Sequence, residues 1–243
     1  MKNYLYKATI GLILILGVMA CKKKDTQVIL SDNITSEFIG LAGFNELMVT
    51  AAFDVEINFS DTNKPVEIIA NENLHPYIVV VKSYEKLMVG LQSDISIVGP
   101  AQLKVVLHTA YLTRYTANEA STIRLMDTLK TDQVTINLTG ASNMSGPIIT
   151  ESLSADIREA SLLDISGKTA DFSLYASRAS RMSSYSFTCE NLDADLSGAS
   201  EAELTVNGKI NIKALGASAL RYQGDATIES QDLKDASTII KTD

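Results

Sequence analysis

Positively charged and aromatic side chains are the residues of this sequence best suited to hold a ligand. Arg158, Arg178 and Arg181 lie near one another in the chain, together with Tyr175 and Tyr185. Guanidinium groups bind carboxylates through paired hydrogen bonds, and aromatic rings stack on cations and on flat apolar faces. These five residues therefore form a candidate surface for an acidic sugar or peptide, although long charged side chains also cover apolar surface on an ordinary solvated face.

Residues suited to catalysis or to a metal ion are sparse. His75 and His108 are the two histidines, and both stand beside apolar residues, which is typical of histidines packed in a core or a loop. No histidine–carboxylate metal run and no phosphate-binding glycine loop occurs in the sequence. We therefore predict no catalytic residue, no metal site and no cofactor, and we keep a lyase-like enzyme acting on acidic polysaccharide as an alternative.

The first 20 residues resemble a bacterial lipoprotein signal. Lys2 and Lys7 flank the start of an apolar stretch, Ala8–Met19, that is short for a membrane span, and the letters Val-Met-Ala-Cys end at Cys21. The resemblance implies that residues 1–20 are removed and that Cys21 is lipidated. Acyl chains on Cys21 would hold the protein to the outer membrane, on its periplasmic face or on the cell surface.

The chain that follows Cys21 begins with a polar segment. Residues 22–36 lack the periodicity of a packed element, so we predict a flexible tether there. Lys2 and Lys7 belong to the signal, so 21 basic residues become 19, against 29 acidic ones, and the net charge is −10. Such an acidic domain is a poor candidate for a nucleic-acid partner.

An internal repeat indicates the elements that position these residues. Seven x-Ala-Ser triplets recur at intervals of 18–21 residues. Their serines are Ser121, Ser142, Ser161, Ser180, Ser200, Ser218 and Ser237. The position two residues before the first residue of each triplet is apolar, and so is the position four residues after it, which gives two apolar columns. Polar residues alternate with apolar ones between these columns, which is the period of strands with one buried face.

A repeat of about 19 residues with short strands and no helix fits one coil of a parallel β-helix. The sequence thus predicts an all-β protein with regular repeats over residues 111–243. The same β character with looser spacing, over residues 37–110, predicts an irregular N-terminal region continuous with the helix. The serines would stack as a structural series whose hydroxyls bond one another or corner backbone groups.

An outward column of side chains follows from the same alignment. It contains Thr116, Asn137, Asp156, Tyr175, Asp195, Lys213 and Asp232. Its three aspartates lie two coils apart, about 9.6 Å by the strand spacing, whereas calcium binds oxygens at roughly 2.3–2.6 Å. The column therefore predicts a surface charge series rather than a calcium site.

The C-terminal end of the predicted helix carries no recognisable capping segment after the last repeat. An uncovered strand edge favours pairing with another strand. We therefore expect a homodimer, or the docking of another protein's strand, through residues 227–243.

Three stretches carry a resemblance to a known family. They are Phe44-Asn45-Glu46-Leu47 with Ala52-Phe53-Asp54-Val55, then Leu87-Met88-Val89, and then the Leu-x-Gly-Ala-Ser repeats. Together they resemble the head GIN domain family of auto-transporter adhesins over residues 42–237. The resemblance implies a right-handed β-helical, secreted or lipid-anchored protein of the kind common in Bacteroidota, whose family activity is not established.

The combined expectation is a lipid-anchored binding or scaffold protein of the cell envelope, with a protein or a glycan as ligand. Rigid repeats display surface well, and nothing in the sequence assembles an active site. The polysaccharide-active enzyme and a periplasmic protein-binding or sensor module are the alternatives.

Overall fold

The computed structural model describes residues 26–62 and 64–243, so the predicted signal and the predicted lipidation site at Cys21 lie outside the described residues. The described chain is almost entirely β-structure, apart from one 3-10 helix, Glu72–Tyr77. Its strands are β1 (Thr26–Ile29), β2 (Ile34–Ile39), β3 (Glu46–Val49), β4 (Asp54–Phe59), β5 (Val66–Asn71), β6 (Ile78–Ser83), β7 (Lys86–Leu91), β8 (Ile95–Val98), β9 (Leu103–Thr109), β10 (Arg114–Ala117), β11 (Thr122–Leu125), β12 (Leu129–Lys130), β13 (Gln133–Leu138), β14 (Asn143–Ile149), β15 (Ser152–Arg158), β16 (Leu162–Ser177), β17 (Arg181–Ser197), β18 (Glu201–Leu215), β19 (Ala219–Gln223), β20 (Thr227–Leu233) and β21 (Thr238–Lys241).

The strands coil into a β-solenoid of about seven turns with about 19 residues in each turn, which confirms the predicted fold class. One strand leads into each x-Ala-Ser corner and another leaves it. We call the sheet of leading strands face A; it contains β3, β7, β10, β13, β15, residues 171–177, 191–197 and 209–215, and β20. We call the sheet of departing strands face B; it contains β4, β9, β11, β14, residues 162–166, 181–185 and 201–205, β19 and β21.

The two apolar columns of the repeat form the core, because parallel pairing in register places equivalent residues directly above one another. On face A the stacked series is Ala117, Leu138, Ile157, Ala176, Leu196, Ala214 and Leu233. On face B it is Ile123, Met144, Leu163, Met182, Ala202, Leu220 and Ile239. All except Leu233 and Ile239, in the last turn, are buried.

The x-Ala-Ser corners use an uncommon backbone. Their first and second residues all adopt left-handed angles, with φ between 50° and 70°. Glycine tolerates these angles, but each alanine there costs about 1–2 kcal/mol. Hydrogen bonding offsets this cost: in six successive corners the alanine N–H donates to the first-position carbonyl of the next turn at 2.7–2.9 Å.

The serines of the corners point inward, and the six from Ser121 to Ser218 are buried. Each of those six hydroxyls donates to the carbonyl oxygen three residues earlier at 2.7–2.9 Å. In addition, the N–H groups of Ser142, Ser200 and Ser218 donate to the serine hydroxyl of the next turn at 3.1–3.2 Å. The hydroxyls of this series therefore bond corner backbone groups.

In some turns, the bend that lies opposite the x-Ala-Ser corner requires a glycine. Gly167 has φ +105°, and a Cβ built there would lie 2.1 Å from the carbonyl oxygen of Ile148 in the preceding turn. Successive turns therefore approach more closely at this bend than any side chain would allow.

The N-terminal turns are stacked out of sequence order. Strand β3 lies between β7 and β10, and β4 lies between β9 and β11, all in parallel. The β3–β4 connection is an eighth corner, in which Ala51 and Ala52 have φ near +60° and Phe53 takes the buried serine position. The Ala52 N–H donates to the Glu119 carbonyl at 2.9 Å, which joins this corner to the regular series. In the structure, strands of the N-terminal region and of the regular turns thus belong to one continuous sheet.

Antiparallel strands and a two-stranded ribbon close the N-terminal end; we call residues 26–41 and 66–102 the cap. Strand β5 pairs with β2 and β9, and β6 pairs with β7, all antiparallel. Strand β1 pairs with β8 in parallel, and Val28 of β1 is buried in the core. The side chains of Leu30, Ile95 and Ile97 also pack against the core, so the β1–β8 ribbon covers apolar surface that the outermost strands leave open.

The interpretation of residues 22–36 as a flexible tether is wrong from Thr26 onward. Strand β1 occupies the middle of that segment, and β2 begins within it at Ile34. The Asn73 side chain fixes the connection by donating to the Ile29 carbonyl at 2.7 Å and accepting from the Ser31 N–H at 2.9 Å. A segment this short shows little periodicity, and its partners lie some 40–70 residues further along the chain.

The last turn is open. Strand β20 pairs only with β18, and β21 only with β19, among the described residues. Six of the seven residues of β20 are exposed. This end of the solenoid therefore contrasts with the covered N-terminal end.

Candidate functional site

The outward side chains of face A form stacked columns, because the parallel register repeats from turn to turn. The predicted column is in register through its whole length: Thr116, Asn137, Asp156, Tyr175, Asp195, Lys213 and Asp232. Two residues earlier runs a second column of Ser154, Ser173, Asp193 and Asn211. The second column continues to Ser230 through a shift in register at β18. Face A thus presents a dense polar surface over its last four turns.

A shallow depression of about 350 Å³ lies on this surface, and we call it the face A groove. Its polar side chains are those of Ser173, Tyr175, Asp193, Asp195, Asn211, Lys213 and Ser230. Leu174, Ala194 and Ile212 form its floor and belong to the buried core. The groove is therefore a polar surface on a rigid sheet rather than an enclosed cavity.

One side of the face A groove is ordered by hydrogen bonds across three turns. The Asn211 amide donates to Asp193 Oδ1 at 2.9 Å, and the Ser230 hydroxyl donates to Asn211 Oδ1 at 2.8 Å. This chain fixes the orientation of the amide and leaves the second carboxylate oxygen of Asp193 free to accept. Fixed acceptors and donors at strand spacing suit a ligand that carries several hydroxyl groups.

The other side of the groove contains charges without protein partners. Within the described residues, neither the Asp195 carboxylate nor the Lys213 ammonium has a hydrogen-bond or ion-pair partner, although they are neighbours in register. Asp232, the other neighbour of Lys213 in the column, is paired with Lys234 at 2.7 Å. Their hydrogen bond raises the pKa of Lys234. The predicted charge series is thus in register, but its Lys213 is left available to a ligand.

Tyr175 lies at the edge of the groove and is held by Arg158. The Arg158 guanidinium lies 4.7 Å from the Tyr175 ring centroid and makes two hydrogen bonds to Asp156, at 2.6 and 2.7 Å. Donating these hydrogen bonds to the Asp156 carboxylate raises the pKa of Arg158. The contact with this cation therefore helps to fix the orientation of the ring at the edge of the groove.

The five residues predicted from the sequence as a ligand surface do not form one cluster. Arg158 and Tyr175 lie together on face A, and Arg178 is at the adjoining corner, where it pairs with Glu159 at 2.8 Å. Arg181 and Tyr185 lie beyond that corner, on the face B side of the same turn. Because Glu201 lies 2.6 Å from Arg181, each of the three guanidinium groups is already paired with a carboxylate.

Sequence reasoning missed the second polar column, although the signal was available. Ser173, Asp193, Asn211 and Ser230 occupy nearly equivalent places in the same repeat alignment that identified Tyr175 and Asp195. Serine and asparagine attract less notice than charged residues in a single sequence. Their significance comes from the register, which places an amide between a carboxylate and a hydroxyl.

The two histidines occupy separate elements: His75 lies in the 3-10 helix of the cap, and His108 lies in strand β9 of face B. The buried His75 ring lies 3.1 Å from both the hydroxyl and the carbonyl oxygen of Thr35. Burial in the first place, and then Lys64, lower the pKa of His108. Within residues 26–62 and 64–243, no three histidine, cysteine or carboxylate side chains lie close enough to hold a metal ion. In the same residues no helix is long and apolar enough to cross a membrane.

The fold and the face A groove define a class of protein, a parallel β-solenoid that displays a flat polar face beside a covered N-terminal end. The family model described as "Putative auto-transporter adhesin, head GIN domain" matches residues 43–226. The chain belongs to this family, as the sequence resemblance predicted.

Solved structures of similar fold support the architecture. A putative adhesin from Bacteroides fragilis has a TM-score of 0.82 at 15% identity, with 88% of this chain and 100% of that chain covered. A putative adhesin from Parabacteroides merdae has a TM-score of 0.74 at 16% identity, covering 90% and 100%. A putative lipid binding protein from Parabacteroides distasonis has a TM-score of 0.75 at 14% identity, covering 90% and 100%. A comparison with curated proteins gave no match.

Proposed function

We propose that this protein is a non-catalytic binding protein of the cell envelope that is anchored through lipidated Cys21 and engages its ligand through the face A groove. The adhesin description of the family supports a binding role. The signal pattern that ends at Cys21 supports the anchor. The protein then acts as a rigid column that presents one polar face.

The observation that carries the proposal is the combination of ordered and unpartnered polar groups in the groove. Asp193, Asn211 and Ser230 are fixed by their mutual hydrogen bonds, while Asp195 and Lys213 have no partner within the described residues. A polar ligand gains most where donors and acceptors are already oriented and where bound charges need not first be released from protein partners. A hydroxyl-rich glycan is the ligand class that fits this mixture.

Binding to immobilised envelope and host glycans, followed by titration calorimetry on the best glycan, tests this assignment. Asp195→Ala and Lys213→Ala should each weaken binding by about tenfold or more, because each removes a charged partner of the ligand. Asp164→Ala is the matched control, since Asp164 is an exposed carboxylate on face B without a partner in the described chain. Equal effects of Asp164→Ala and Asp195→Ala would contradict a site on face A.

The anchor has its own test. Incorporation of labelled palmitate, together with partition into the detergent phase, should be complete for the natural sequence and lost in Cys21→Ser. Protease treatment of intact cells then assigns the side of the outer membrane. Release of the domain while a periplasmic control survives indicates surface exposure, and release only after the membrane is opened indicates the periplasmic face.

The open last turn motivates a proposal about assembly. Strand β20 exposes an unpaired edge and Ile228 is 37% exposed, so a second copy of the chain is the partner that we propose at this end. Light scattering should show a dimer that dissociates on dilution, and Gln231→Pro should shift it to monomer by blocking the strand edge. A monomer at every concentration would refute this assembly.

A further inference from the structure

Exposed apolar side chains concentrate at the cap. Of the twelve large hydrophobic residues exposed in the described chain, seven fall between residues 29 and 98. They include Ile29, Phe38, Val79, Val81 and Val98. Residues 111–243, a longer part of the chain, contain the other five. An apolar surface at one end of an otherwise polar column indicates a contact that the isolated domain does not show.

The β1–β8 ribbon presents the most exposed part of this surface. Its register places Val28 opposite Ile97, and both pack toward the core. The next pair, Ile29 and Val98, therefore points outward, with 72% and 44% of these residues exposed. The ribbon thus covers the solenoid with one face and offers an apolar pair to the surroundings with the other.

The distance from the predicted anchor limits what can contact the ribbon. Four residues, 22–25, separate Cys21 from Thr26, the first residue of β1. Five extended steps span at most about 17 Å. Lys22, Lys23 and Lys24 occupy this linker, and lysines close to an anionic membrane surface are attracted to it. A bilayer that holds Cys21 therefore lies within reach of the ribbon.

We propose that the outer face of the β1–β8 ribbon rests against the membrane that carries the lipid anchor, so that the solenoid stands on its cap. This inference rests on the lipidation of Cys21 in the proposed function. A short linker gives the ribbon a high effective concentration at the surface, so the weak apolar contact of Ile29 and Val98 is sufficient.

Standing on the cap places the face A groove away from the bilayer. Asp195 lies five turns beyond β3, and each turn adds about 4.8 Å, so the groove is held roughly 24 Å beyond β3. A ligand then approaches the groove without competition from lipid headgroups. The open edge of β20 is further still from the membrane.

Site-specific fluorescence on the full lipidated chain in phosphatidylglycerol-containing vesicles tests the orientation. A label at Gln27→Cys reports the outer face of β1, and a label at Gln231→Cys reports the opposite end; both positions are exposed. Cys189 is fully buried and Cys21 carries lipid, so the introduced thiol alone reacts. Lipids with a nitroxide headgroup should quench the label at position 27 at least about threefold more than the label at position 231.

Matched substitutions separate an apolar contact from simple tethering. Ile29→Ser with Val98→Ser should reduce quenching at position 27 at least about twofold, whereas Ile240→Ser, at a 42% exposed position in the last turn, should leave it unchanged. Equal quenching at positions 27 and 231, or no effect of the double substitution, would overturn the inference. A label at position 27 that is shielded but not quenched would indicate a protein partner and would also overturn it.

Failure of the anchor gives a different result. If the natural chain does not float with the vesicles, Cys21 is not lipidated, and both the anchor and this orientation are refuted. If the chain floats but the two labels behave alike, the anchor stands and only the orientation is refuted.

Discussion

The hydrogen bonds of the buried corner serines allow a quantitative prediction about the free energy of unfolding, which is clearest at Ser218. Its hydroxyl donates to the Leu215 carbonyl at 2.9 Å and accepts from the N–H of Ser200 in the preceding turn at 3.2 Å. Ser218 is 1% exposed, so water does not replace either partner after the substitution Ser218→Ala. The lost hydrogen bonds and the buried N–H left without an acceptor should together cost about 2–4 kcal/mol of the free energy of unfolding.

Ser180 provides the matched control. It is also 1% exposed and its hydroxyl donates to the Ser177 carbonyl at 2.8 Å, but no N–H of the described chain donates to that hydroxyl. Ser180→Ala therefore removes one hydrogen bond and should cost about 1 kcal/mol. The two variants delete the same atom at equivalent corners, so their difference isolates the contact between turns.

Urea denaturation followed by circular dichroism measures both variants, and thermal melting checks them. At about 2–4 °C per kcal/mol for a domain of this size, Ser218→Ala should melt clearly below Ser180→Ala. Amide exchange at Ser200 should accelerate in Ser218→Ala alone. Equal destabilisation with unchanged exchange at Ser200 would refute the reasoning, because the contact between turns would then contribute nothing.

Three further predictions concern the bends and the core. Gly167→Ala should destabilise the protein by more than about 2 kcal/mol, because its Cβ would overlap the Ile148 carbonyl, while Gly40→Ala, with open space around it, should melt like the parent. Burial, with a smaller contribution from nearby carboxylates, raises the pKa of the Cys189 thiol from 9.0 to about 12. The folded chain should therefore react with thiol reagents at pH 8 only after urea is added, and the stability that the buried neutral thiol contributes should be lost as pH rises from about 9 toward 12, measured by urea titration with Cys189→Ala as reference. Ala199→Gly should raise the free energy of unfolding by roughly 0.5–1 kcal/mol, since glycine adopts the left-handed corner angle more readily, and an unchanged or lower melting temperature would contradict this.

The regular turns were predictable because each repeats the same pattern of apolar residues around its corner. Apolar residues at Leu138, Ile157 and Leu196 recur at fixed distances from their corners, and parallel stacking in register converts that spacing directly into a core. The outward position of Asp156, Tyr175 and Asp195 follows from the same alternation. In a solenoid, one alignment of the sequence with itself therefore supplies most of the contact map.

The cap was less predictable because its partners are distant in sequence. Ala51 and Ala52 form a corner, but Phe53 replaces the serine, so the triplet does not match the others by its letters. Strand β1 consists of only four residues, Thr26–Ile29, and pairs with β8. The sequence offers many equally short strands as possible partners, so it does not predict this pairing. Pairings of this kind are fixed by how well the whole cap covers the core.

The face A groove was predictable only in part. The repeat identified the column that contains Tyr175 and Lys213, but the value of Asn211 depends on the two side chains that it bridges. The arginines drew attention in the sequence because they are chemically conspicuous, and the structure pairs each with a carboxylate of its own turn or of a neighbouring one. Pairing of this kind cannot be read from composition.

The stacking of β3 and β4 between later strands has a consequence for how the chain folds. Regular turns meet partners about 19 residues away, whereas Thr113 bonds Asn45 across 68 residues. Loop-closure entropy makes the long-range contacts slow to form, so assembly of residues 26–113 should limit the folding rate. Once formed, β3 and β4 offer a ready template on which β10 and β11 dock, and each later turn adds to the one before it. A protein translocated with its N-terminus first would thus complete its slowest step early, and the remaining turns would follow in the order in which they arrive.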